Sequence, residues 1–130
     1  MFRRLHLPLL LWAAVIFVIC AIPGNNIPKL SFLEWLRPDK IVHLIVFGIL
    51  SVFIYRSVTI DPAFAGISSR AFFWSVLISS IYGALIEYLQ YSVFINRSGD
   101  IRDAAANAIG AWLGMLIYIR YLTGRRKEKS

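Results

Sequence analysis

Nine polar residues stand out in a strongly apolar chain: Asp39, Lys40 and His43, then Glu87 and Gln90, then Arg97, Asp100, Asp103 and Asn107. Asp39 and His43 are four apart, Glu87 and Gln90 three apart, and Asp100, Asp103 and Asn107 follow at three and four, so each set occupies one face of a helix. Three kinds of chemistry are open to such a collection. Lys40 and Arg97, with Arg102 beside them, are charge partners for an anion. His43 and Glu87 are a candidate base and acid, which would make the chain an enzyme. His43, Glu87, Asp100 and Asp103 are donors a divalent cation accepts, although no known metal-ligand spacing appears and the sequence asks for no metal and no cofactor. Whether the chain is an enzyme is therefore left open by its residues.

The elements that must position these groups are membrane helices. The 130 residues are 58% hydrophobic and only 16% charged, with a mean hydropathy of +0.67, which speaks against an ordinary soluble domain. A bilayer span needs about 20 apolar residues. Four runs supply them, at about 5–22, 40–57, 71–92 and 103–122, and predict an all-α, polytopic bundle of four transmembrane helices forming a single membrane domain. Ser31 and Glu34 make a capping-box pattern that predicts a short interfacial helix carrying Phe32, Leu33, Trp35 and Leu36 in the first outer loop. Pro38 ends it, and the second span starts near Asp39. Tyr55, Trp74, Tyr88, Tyr91, Tyr118 and Tyr121 fall near the span boundaries as an aromatic belt does, whereas Trp12 and Trp112 lie deeper and are expected in helix packing.

The net charge of +7 does not form a nucleic-acid face. Arg3, Arg4, Arg56, Arg70, Arg120, Arg125, Arg126, Lys127 and Lys129 flank the spans on one side, nine of the fourteen basic residues. The positive-inside rule then predicts a multi-pass cell-membrane protein with both termini cytoplasmic and a basic tail at 123–130. The first run reads as a retained anchor, since no small-x-small cleavage site precedes Pro23. With this topology every polar set falls at the outer end of its span, and the cytoplasmic halves hold almost nothing comparable. Spans two and four both direct helix N-termini there, which favours an anion. Gly110 and Gly114 continue the polar face of span four as a small-xxx-small pair that admits a neighbouring helix, and Gly48 and Gly83 read as packing glycines.

Each group has a structural role that competes with the functional one. His43 alone can be a histidine satisfied within the bundle, Glu87 can clasp Arg97, Asp100 and Asp103 fit the N-cap and N3 positions of span four, and Asn107 can bridge helices. Cys20, the only cysteine, reads as a small buried hydrophobe.

The pattern Asp39-Lys40-x-x-His43, Glu87-x-x-Gln90 and Arg97-x-x-Asp100-x-x-Asp103-x-x-x-Asn107-x-x-Gly110 resembles the VanZ-like family, named for a membrane protein associated with low-level teicoplanin resistance. The likeness covers about residues 38–116. It implies a small multi-span membrane protein in which these polar residues are the signature, and it implies no established reaction. Two function classes follow. In one, an outward-facing cavity binds an anionic envelope molecule, a lipid headgroup, a lipid-linked precursor or a glycopeptide carboxylate, with a link to glycopeptide resistance. In the other, a membrane enzyme acts on such a headgroup. A structural or accessory subunit, and a homo-oligomer, are further expectations; membrane lipids are the expected surroundings and nucleic acid is not an expected partner.

Overall fold

The computed structural model describes residues 2–23 and 38–127. They form four α-helices, α1 (Phe2–Ala21), α2 (Pro38–Ile60), α3 (Ala71–Ser92) and α4 (Ile101–Lys127), with two short 3-10 turns at Pro62–Phe64 and Ser68–Arg70 between α2 and α3. No strand occurs among the described residues. Among the described residues, three segments are long and apolar enough to cross a membrane, Lys40–Ile60, Ser68–Ser92 and Ile101–Arg125, while His6–Ala21 is a shorter apolar helix. The expected interfacial helix at Phe32–Leu36 lies outside the described residues.

Chain direction alternates, so α1 and α3 end where α2 and α4 begin. The parallel pair α2 and α4 packs most intimately, because glycine removes side chains where the two backbones meet. A Cβ on Gly110 would collide with the Leu44 carbonyl, and one on Gly114 would lie 2.6 Å from the Gly48 Cα. Between helices in a membrane such close approach supplies van der Waals contact that lipid cannot. Ser51, fully buried, adds a hydrogen bond from its hydroxyl to the Ala111 carbonyl at 2.9 Å.

Helix α3 carries small residues at a spacing of four, Ala71, Ser75, Ser79 and Gly83, all buried, and this stripe leads directly to Glu87. Ser79 donates to the Phe47 carbonyl of α2 at 3.2 Å, and Tyr82 donates to the Ala13 carbonyl of α1 at 2.8 Å. Ile16, Phe47, Leu50, Ile54 and Ile86 form the apolar core between α1, α2 and α3. Trp12 packs there as expected, its indole N–H donating to the Val46 carbonyl at 3.0 Å. Trp112 does not. It is 49% exposed on the outer face of α4, where the two-glycine seam on the opposite face has turned it toward lipid.

Two boundaries differ from the sequence expectation. Helix α4 begins at Ile101 and runs unbroken to Lys127, so the first part of the basic tail is helical. Arg and Lys are good helix formers, and Arg125 stacks 5.7 Å over the Tyr121 ring one turn back. The end of the bundle opposite the polar sets is also not devoid of buried polar groups: His6 of α1 meets Asp61, just past α2, at 2.7 Å.

Candidate functional site

The α2, α3 and α4 polar sets converge at one end of the bundle. Helix α4 is started by Asp100, whose side chain accepts from the Arg102 N–H at 2.8 Å while its carbonyl accepts from the Asp103 N–H at 2.9 Å. Asp100 is thus the N-cap and Asp103 the N3 residue, and the capping role is real. It does not use up these carboxylates. The Lys40 ammonium of α2 rests against Asp103 Oδ1 and lies 3.8 Å from Asp100 Oδ2, so one lysine ties two helices together.

One turn deeper, His43 Nδ1 is 2.7 Å from Asn107 Oδ1 and 3.9 Å from Glu87 Oε1, joining α2, α4 and α3. The imidazole also stacks parallel to the Phe47 ring, with centroids 6.2 Å apart. Asn107 is fully buried, and Gly83 makes room for it: a Cβ at Gly83 would stand 2.7 Å from the Asn107 Cβ.

Glu87 is held from the loop rather than by Arg97. After α3 the chain turns through Asn96, in the left-handed region with φ 52°, which Asn tolerates better than most residues. Gly99 then lies against α3 so closely that a Cβ there would collide with the Glu87 carbonyl. This brings the Asp100 N–H to 3.1 Å from Glu87 Oε2. Arg97 is half-buried in that loop and makes no ion pair with these carboxylates among the described residues. Nothing in the sequence beyond a glycine preceding an N-cap pointed to Gly99.

Of the remaining candidates, Gln90 is buried but turned away, donating to the Cys20 carbonyl of α1 at 3.1 Å. Asp39 lies in the first turn of α2 and its side chain is outside the described residues. The cluster is incompletely satisfied. Glu87 Oε1 and Asn107 Nδ2 are buried without a hydrogen-bond partner among the described residues.

Immediately below the cluster, α2 and α4 open an apolar groove of about 560 Å³, lined by Leu44, Ile45, Phe53, Leu113, Ile117 and Tyr121 and floored by Gly48, Gly110 and Gly114. It starts one residue beyond His43 and three beyond Asn107.

Described residues that are all-helical, with three membrane-length helices among them and a polar cluster gathered at one end, make this a small membrane protein. The VanZ/LLP1 family model matches residues 5–123, and the chain belongs to that family. No match was found among curated proteins or among solved structures.

Proposed function

We propose that the polar end of α2, α3 and α4 binds the headgroup of an anionic amphiphile of the cell envelope, a phospholipid or a lipid-linked wall precursor, from the outer side of the membrane. The observation that supports this most is the continuity of cluster and groove on one helix pair. Helix α2 supplies Lys40 and His43 and then Leu44, Ile45 and Gly48; helix α4 supplies Asp103 and Asn107 and then Gly110 and Gly114. A molecule with a polar head and a hydrocarbon chain meets both surfaces. Along α4 the groove runs from Gly110 to Tyr121, roughly 16 Å at the helical rise, about the depth of one leaflet. Arg97 at the rim and Lys40, exchanging one of its two carboxylates for a ligand oxygen, supply the positive charge. The outward direction follows from the excess of Arg and Lys at the other end. Holding a lipid-linked precursor there would connect the site to the teicoplanin phenotype of the family's namesake.

Native mass spectrometry of gently extracted protein tests this. The parent is expected to retain an anionic lipid that folded Lys40→Ala and Arg97→Ala variants lose; equal retention by all three would overturn the reading. The 3.9 Å separation of His43 and Glu87 favours a second reading, an enzyme acting on the same headgroup. It requires turnover of the retained lipid that His43→Ala abolishes while the lipid stays bound.

A further inference from the structure

We infer that His43, Glu87 and Asp103 form a binding site for a divalent transition-metal ion of the Mn²⁺ or Zn²⁺ kind. One ring nitrogen of His43 and one carboxylate oxygen from each of Glu87 and Asp103 lie within 4.8 Å of one another, contributed by three different helices. Metal–ligand distances of about 2.0–2.2 Å place tetrahedral donors roughly 3.5 Å apart, so side-chain rotation of about 1 Å closes the set. The donors are one imidazole and two carboxylates, a mixture suited to borderline ions rather than to Mg²⁺ or Ca²⁺ alone.

A second observation, independent of the clustering, is the state of Glu87. The residue is 6% exposed, its Oε2 accepts from the Asp100 N–H, and its Oε1 faces His43 with no hydrogen bond among the described residues. Leaving a buried acceptor unpaired is costly, and more so when it is charged. A cation between Glu87, His43 and Asp103 satisfies that oxygen. Lys40 occupies Asp103 Oδ1, which leaves the second oxygen of that carboxylate for the metal. Asn107 and Phe47 fix the imidazole plane, as outer-shell partners of metal-binding histidines do.

Three protein donors leave coordination positions open toward the end of the bundle. A phosphate oxygen of the proposed headgroup fits there; only that last step rests on the headgroup reading, and the metal site itself does not.

The test is an electron paramagnetic resonance titration of the full chain in detergent micelles with Mn²⁺ alone, after chelator treatment and without added lipid. We expect loss of the free Mn²⁺ signal at one ion per chain. Glu87→Gln and Asp103→Asn should each weaken binding at least about tenfold, whereas Asp61→Asn, at the opposite end of the bundle, should bind like the parent. No saturable binding by the parent, or Glu87→Gln and Asp103→Asn titrating like the parent, overturns the inference. If either variant does not fold, parent and Asp61→Asn still decide: binding that a folded Asp61→Asn loses contradicts a cation held at the other end of the bundle. Mn²⁺ binding by a parent that retains no anionic lipid would overturn the headgroup reading and leave the metal site standing.

Discussion

The two ends of the helix bundle each bury a histidine against a carboxylate, yet they are built to different standards. At one end His6 Nε2 meets Asp61 Oδ2 at 2.7 Å, while Asp61 Oδ1 accepts from the Ala63 N–H at 2.8 Å and the edge of the His6 ring packs against Phe64. Both carboxylate oxygens are used, and the pair fastens α1 to the turn after α2. At the other end His43 and Glu87 stand 3.9 Å apart, and Glu87 Oε1 and Asn107 Nδ2 remain without hydrogen bonds among the described residues. A clasp whose bonds are all made has nothing left to offer a ligand. A buried cluster with donors and acceptors left over has a reason to hold one.

The comparison is broken most forcefully at the clasp. Asp61→Ala removes the carboxylate that His6 meets and the cap of the Pro62–Phe64 turn, and it should lower the unfolding midpoint in detergent by several degrees. Thermal or chemical denaturation followed by circular dichroism measures it. Glu87→Gln is the matched change at the other end. It keeps shape and the acceptor for the Asp100 N–H and breaks no hydrogen bond of Oε1, so stability in metal-free buffer should change by less than about 1 kcal/mol.

The smallest effect is one of pH. The Ala63 N–H, and after it His6, hold the Asp61 carboxylate below its usual range. A carboxylate with a lowered folded pKa contributes stability that is present above its unfolded value, about 3.9, and lost as pH falls through the folded value. The parent should therefore lose this contribution only below about pH 4, and Asp61→Asn should lack that acid-dependent component. An identical acid profile in parent and Asp61→Asn would contradict the clasp.

Much of this was legible in the chain. The apolar run at 71–92 coincides with α3, because Ala71 to Ser92 lies between polar connections that cannot enter a bilayer. The convergence of Lys40, His43, Glu87, Asp103 and Asn107 follows from helical spacing and alternating chain direction. Other features depend on distances that spacing does not report. His6 and Asp61 are 55 residues apart, and neither belongs to a periodic set, so their pairing is visible only in the fold. Gln90 shares a face with Glu87, but it lies three residues further along α3, where α1 ends, and donates to the Cys20 carbonyl instead. Trp112 follows the apolar pattern of α4 equally well facing inward or outward; the glycines at 110 and 114 decide which, by claiming the seam with α2. Gly99 is needed only because the loop must touch the end of α3.

The most direct test of an open site at one end and a closed clasp at the other is a paired measurement on two conservative variants, Asp61→Asn and Glu87→Gln. Bound Mn²⁺ per chain and unfolding stability are read from the same preparations. Asp61→Asn should be destabilised and still bind Mn²⁺ at the level of the parent, while Glu87→Gln should be as stable as the metal-free parent and lose the ion. Glu87→Gln destabilised as much as Asp61→Asn, with no difference between them in Mn²⁺, would show that both ends are clasps.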